Sequence, residues 1–198
     1  MARPQSPDYD RRREAMIAEA ARLFACKGFQ GASVADLAKA CAASKSLVYH
    51  YFPSKEDILF EVMAAHLEAL VEAAEAVQRQ PCLAPRERLR AIARAFMQLY
   101  AGAEASHKVL LNELGNLPPE RRAEVVARQR RIIAAVEEQV QAIRPDLVGD
   151  AVRRPVAMLF FGMINWTHTW FRSSGPIGAE ALADLAVSLL LDGLDQAS

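Results

Sequence analysis

The chain has 198 residues, of which 52% are hydrophobic and 24% charged; it can bury a core, and wholesale disorder is excluded. Its acidic and basic residues balance, yet residues 1–55 hold nine basic side chains against five acidic ones, so a head of charge +4 precedes a body of charge −4. Cys26, Cys41 and Cys82 form no CxxC and no metal-ligand spacing, which points to a reducing compartment and no metal site; no cofactor is expected either. The opening MARPQSPDYDRRR lacks the apolar stretch of a secretory signal, so a cytoplasmic protein is expected.

Helical spacing dominates, and an all-α fold of about nine helices is predicted. The first runs from about Asp10 to Lys27, with Met16, Ile17, Ala20, Ala21, Leu23 and Phe24 on its apolar face, and Gly28 ends it. Ser33, with Asp36 three residues on, reads as a capping box for Val34–Ala40, Asp standing in for Glu. After the small residues Cys41, Ala42 and Ala43, Ser44 caps a short helix, Lys45–Tyr51, which Phe52-Pro53 stops. Ser54 and Asp57 cap the next, which extends to about Gln80. Beyond Pro81 and Pro85, helices are predicted over Arg86–Ala101, Ala105–Leu114, Pro118 to just before Pro145, Pro155–Phe171 and Ala179–Leu194. The last places Leu182, Leu185, Ala186, Leu189 and Leu194 on one side. Pro155–Phe171 is strongly apolar, but its length and its Asn165, Thr167, His168 and Thr169 suit a buried helix better than a membrane span.

Two short helices joined by a tight turn of small residues make a helix-turn-helix, whose second helix enters the major groove of DNA. On that helix Ser44, Lys45, Ser46, Tyr49, His50 and Tyr51 supply hydroxyl, amine and imidazole groups, while Leu47, Val48 and Phe52 anchor it. Ser33, Tyr51, Lys55 and the arm Arg11-Arg12-Arg13 are placed to contact phosphate. Arg3–Asp10, rich in proline and polar residues, is expected to be disordered without DNA. The division expected is a helix-turn-helix domain over 1–53 and a ligand-binding and dimerisation domain over 54–198.

Residues 20–63, AARLFACKGFQGASVADLAKACAASKSLVYHYFPSKEDILFEVM, resemble the DNA-binding head of the tetracycline-repressor (TetR/AcrR) family. The resemblance makes Ser44–Tyr51 the recognition helix and gives Ser33 and Lys55 phosphate-contacting places. It implies a fourth helix linking the head to a ligand domain, and a homodimer formed through the last two helices. Gly162, Ala181, Ala186 and Gly193 would let those helices approach closely, with Leu182, Leu185, Leu189 and Leu190 adding apolar area. A dimer would present two recognition helices to half-sites one helical turn, about 34 Å, apart.

The body interleaves aromatic and polar side chains, as small-molecule sites do; the candidate ligand residues are Phe96, Tyr100, Lys108, Leu111, Asn112, Arg122, Arg128, Met163, Trp166 and Trp170. The runs 108–132 and 162–194 are similar to a subgroup of these repressors that controls the catabolism of fatty acids, phenylacetate and steroid fragments. There the inducer is an acyl-CoA thioester, and phenylacetyl-CoA is a fitting example. Arg121, Arg122, Arg128, Arg130 and Arg131, with Lys108 nearby in the chain, offer cations for its phosphates; the other reading is a solvated face. The alternative function is a multidrug-type sensor repressor controlling an efflux gene. No enzyme is expected: GxSxG, GxGxxG, a P-loop and HExxH are all missing, and the lone Glu104-Ala105-Ser106-His107 lacks the second copy a di-iron site requires. The partners expected are double-stranded DNA, a small-molecule inducer and a second copy of the chain, with no membrane.

Overall fold

The computed structural model describes residues 7–146 and 150–196, so Arg3 of the basic head lies outside the described residues. Among them run nine α-helices and no strand: α1 (Pro7–Gly31), α2 (Val34–Ala40), α3 (Lys45–Tyr51), α4 (Lys55–Gln78), α5 (Pro85–Gly102), α6 (Glu104–Asn112), α7 (Pro119–Ile143), α8 (Asp150–Asn165) and α9 (Ala179–Gln196), with 3-10 turns at Leu114–Asn116 and Trp166–Thr169. Two compact units do not follow chain order. One runs up to His66 and includes Ala105–Val125; the other takes Leu67–Glu104 and the chain from Val126 on.

In the first unit the predicted caps form. The Ser33 hydroxyl accepts the Asp36 N–H at 3.1 Å, and Asp36 Oδ2 in turn accepts the Ser33 N–H at 3.1 Å. Ser54 Oγ likewise accepts the Asp57 N–H at 3.0 Å to start α4. α1 begins earlier than expected: Pro7–Asp10 are helical, because Asp8 holds Arg11 and Arg12 at 2.7 and 3.2 Å one turn on. Gly28 does interrupt this helix, with φ 72° and ψ 161°, a backbone state in which a side chain is strained.

The turn between α2 and α3 closes by a Schellman pair. Ala43 N–H reaches Ala38 C=O at 2.8 Å and Ala42 N–H reaches Lys39 C=O at 3.2 Å. That geometry puts Ala42 at φ 48°, where glycine is the usual residue. The small turn lets Val48 of α3 (0% exposed) reach the core built by Ala20, Phe24, Leu37, Phe52 and Ile58.

In the second unit α5 and α9 lie antiparallel. Leu89, Ile92, Ala93, Phe96 and Met97 are buried on α5, and every fourth residue beside them is polar. Arg86 pairs with Asp195, Arg90 donates to Ser188 at 3.0 Å, Arg94 grips Asp184 through two bonds of 2.7 Å, and Gln98 donates to Glu180 at 2.5 Å. α8 departs from the sequence reading. It starts at Asp150 with Pro155 inside it, and ends at Asn165 rather than Phe171, because the chain tightens into the 3-10 turn. Among the described residues no helix is long and apolar enough to cross a membrane.

Candidate DNA-reading face and apolar groove

α3 is short enough that its side chains divide cleanly. Val48 is buried and Leu47 half-buried, whereas Lys45, Ser46, Tyr49 and His50 are exposed. Lys45 and Tyr49 are one turn apart, as are Ser46 and His50, so the four share a continuous outer face carrying donors and acceptors. Ser44 caps the helix, its hydroxyl oxygen accepting the Leu47 N–H at 3.1 Å. That bond uses a lone pair and leaves the hydroxyl proton to donate.

Of the expected phosphate donors, Ser33 and Lys55 come together on one small cleft with Phe24, Val34, Leu37 and Ile58. Both already have internal tasks. The Ser33 hydroxyl donates to Asp36 Oδ2 at 2.9 Å, and the Lys55 ammonium sits 4.2 Å above the Phe29 ring. The Ser33 hydroxyl, its backbone N–H and then Lys27 hold the Asp36 carboxyl below its ordinary range, against a smaller opposing effect of burial. The arginine arm divides as well. Arg11 and Arg12 are exposed beside Asp8, but Arg13 pairs with Glu61 at 2.6 Å and lies 5.5 Å from the Phe52 ring, so it joins α1 to α3 and α4. Tyr51 is half-buried under Tyr9, its ring stacked at 4.4 Å and 27°.

In the second unit an open groove of about 480 Å³ runs between α8 and α9. Met97, Met163, Trp166 and Trp170 line it with Leu159, Leu182, Leu185 and Leu189, so three of the candidate ligand residues do come together. The apolar surface is large: Trp166 is 65% exposed, Leu159 64%, Leu189 60%, Trp170 51% and Leu185 50%. Leu182, Leu185, Ala186 and Leu189 thus share one side of α9, as the sequence predicts, but it is not all core: Leu182 and Ala186 are nearly buried, whereas Leu185 and Leu189 stand exposed at the rim. Gly162 on the groove and Gly193 on α9 have nothing within 4 Å of where a Cβ would stand.

Phe96 and Tyr100 are not on this groove. Both are buried, with Phe96 packed 6.4 Å from Tyr100 and 6.2 Å from Phe161, and burial pushes the Tyr100 phenol up. Lys108, Leu111, Asn112 and Arg122 belong to the first unit, where Lys108, Asn112 and Arg122 are exposed and Leu111 is half-buried. Asn112 donates back to the Lys108 carbonyl at 2.8 Å. The arginine cluster is largely spent on α4: Arg121 pairs with Asp57 at 2.9 Å, Arg128 with Glu68 at 3.7 Å and Arg131 with Glu75 at 2.6 Å. Arg122 and Arg130 stay exposed, and among the described residues no ion pair takes them up.

Residues 16–62 match the family model for bacterial regulatory proteins of the tetR family, and residues 82–194 the model for tetracyclin repressor-like C-terminal domains. A TetR-family transcriptional regulator from Bordetella parapertussis is 38% identical, superposes with a TM-score of 0.87, and is matched over 94% of this chain and 97% of that one. The chain belongs to the TetR family of transcriptional regulators. AibR, solved with isovaleryl coenzyme A and operator DNA, is 32% identical, with a TM-score of 0.79 over 91% of this chain and 98% of that one. The transcriptional repressor KstR2 of Mycolicibacterium smegmatis is 26% identical over 93% of this chain and 91% of its own. This TetR-family protein is thus a ligand-responsive DNA-binding regulator and not an enzyme. His107, of the Glu-x-x-His spacing, instead meets His66, Nδ1 to Nε2 at 3.2 Å, with both rings buried. That contact across α4 and α6 was invisible in the sequence. Tyr9 was missed too, although it continues the stripe Arg13, Met16, Ala20 at helical spacing.

Proposed function

We propose that this TetR-family regulator is a repressor that binds a palindromic operator as a homodimer and is released by an acyl-CoA thioester. The observation that carries the reading is the pairing of an exposed, donor-rich face on α3 with an exposed apolar face on α8 and α9. The first suits base edges and phosphates, and the second suits another copy of itself, because a patch of that size and character on one chain marks an interface. Two-fold symmetry would then set the recognition helices one helical turn apart. On this reading Trp166, Trp170 and Met163 belong to the homodimer face, and Ser33, Ser44, Lys45, Ser46, Tyr49, His50, Tyr51 and Lys55 to the DNA face. Capture of a phosphate by Ser33 or Lys55 would exchange an internal bond for an external one.

The thioester rests on likeness to AibR, whose solved complex holds isovaleryl coenzyme A, and on cations left over for phosphate. In the first unit these are Lys108 and Arg122, both exposed. A ligand shifts the DNA-binding equilibrium only by its differential affinity for two states of the protein; a ~100-fold release requires ~2.7 kcal/mol.

The test is fluorescence anisotropy on a duplex that the full chain enriches from a random library. Isovaleryl-CoA and phenylacetyl-CoA are titrated beside free CoA and a lipophilic cation. Release by a thioester and not by free CoA is expected. Release by the cation alone would replace this reading with the multidrug-type sensor.

A further inference from the structure

We propose that Tyr9 is a positioning residue of the DNA-reading face: from the first turns of α1 it fixes the last turn of α3 by stacking on Tyr51 and standing edge-on to His50. The inference rests on the reading of α3 as the recognition helix and deepens it. The Tyr9 and Tyr51 rings are 4.4 Å apart at 27°. Tyr9 and His50 meet at 6.4 Å and 85°, and His50 and Tyr51 at 5.7 Å and 83°. The three rings form one cluster.

Its position explains why it bears on recognition rather than on the core. The buried residues of α1 begin at Met16. Tyr9 lies two turns before them on the same stripe, and its ring contacts are with the end of α3. The next aromatic residue in the chain is Phe24, so no neighbouring ring on this end of α1 substitutes for it. The segment that carries Tyr9 is itself held: Asp8 pairs with Arg11 and Arg12, and Arg13 pairs with Glu61 and lies over Phe52.

α3 needs such a brace. A helix of seven residues is not stable by itself, its buried anchor is Val48, and the chain turns extended at Phe52, with φ −136° and ψ 113°. Without Tyr9 the last turn would hold Tyr51 and His50 loosely, and both rings would have to be ordered at the moment of binding. Ordering them beforehand moves that entropic cost out of the binding step. Tyr9 therefore acts through Tyr51 and His50.

The experiment compares the full-length wild type, Tyr9→Ala and Tyr9→Phe by anisotropy, on the duplex enriched by the wild type and on a scrambled duplex of equal length. Thermal midpoints are measured in parallel. Tyr9→Ala is expected to weaken the enriched duplex about three- to tenfold, the worth of one aromatic pair. Its affinity for the scrambled duplex should fall by clearly less, because the backbone contacts other than that of Tyr51 carry most of that binding. Tyr9→Phe keeps the stack and should restore wild-type affinity, and in a Tyr51→Leu background Tyr9→Ala should cost less than it does in the wild type. Wild-type affinity in Tyr9→Ala, or equal loss on both duplexes alongside a lowered midpoint, would overturn the positioning role and leave α3 as the reader. If the wild type enriches no duplex, the DNA-reading assignment itself falls and takes this proposal with it.

Discussion

The face of α3 and the groove between α8 and α9 are both surfaces that the chain leaves uncovered, and they are built in opposite ways. On α3 the exposed residues are Lys45, Ser46, Tyr49 and His50, short polar or ring-bearing groups above one fully buried valine. The groove exposes Leu159, Trp166, Trp170, Leu185 and Leu189, while the nearby polar residues of α9, Asp184 and Ser188, turn inward to Arg94 and Arg90. One surface offers hydrogen bonds and charge, so its partner must be polar and its affinity must fall with salt. The other offers apolar area, so its partner must be apolar and its affinity survives salt. Charge placed in the groove should therefore destroy that surface, whereas the head is vulnerable through its packing.

The largest effect follows from Leu189→Glu. Leu189 is 60% exposed, so the fold of one chain should tolerate the change. In a two-fold interface the substitution counts twice; two lost leucines amount to about 4 kcal/mol, close to a thousandfold in the dimer dissociation constant. Sedimentation velocity at micromolar concentration should show monomer, and operator binding should fall with it. Trp166 and Trp170 are the only two tryptophans of the chain, so their emission should shift to the red as they meet water. A variant that remains dimeric with unchanged emission would place the homodimer elsewhere.

The same contrast explains what was legible beforehand. The head is written in local signals: Ser33 with Asp36, Ser44 before Lys45, and Ser54 with Asp57 each satisfy helix ends within four residues, and α2 and α3 form over the expected residues. The body is decided by partners far along the chain. Nothing around Leu185 and Leu189 says that they stay exposed while Leu182 and Leu190 are nearly buried. The arginines of α7 read as a cradle only until the carboxylates of α4 lie beside them. Pro155 looked like a helix start, yet it sits within α8. The His66–His107 contact joins residues 41 positions apart, a separation that periodicity does not reach.

That pair gives the next effect, and it belongs to the first unit. Burial lowers His66 from its usual 6.5 to about 4. Above pH 6.5 the ring is neutral in the folded and the unfolded chain alike. As pH falls from there toward 4, the unfolded chain binds a proton that the folded chain refuses, and stability drops by about 1.4 kcal/mol per pH unit, about 3 kcal/mol in all. The ion pairs of the second unit respond elsewhere: hydrogen bonds from Arg94 and Arg86 hold Asp184 and Asp195 below their ordinary range, so those contacts persist through this window. Urea unfolding at pH 7.5, 5.5 and 4.5 should show a steep decline that flattens in His66→Gln. An equal slope in both proteins would mean that His66 takes up its proton while folded.

The smallest effect has the opposite sign and tests whether the turn under α3 is strained. Ala42 occupies the left-handed position of the Schellman closure at φ 48°, where an L side chain costs about 1–2 kcal/mol. Glycine has no Cβ to clash there, although it surrenders more freedom on folding. The net expectation for Ala42→Gly is a gain of about 1 kcal/mol, read as a higher urea midpoint with an unchanged slope. Ala42 is exposed, so the substitution removes little packing and leaves the outer face of α3 untouched. Operator affinity should stay level while stability rises. If affinity falls instead, the strained turn is what sets the angle at which Lys45, Ser46, Tyr49 and His50 are presented, and the head owes its geometry to that alanine.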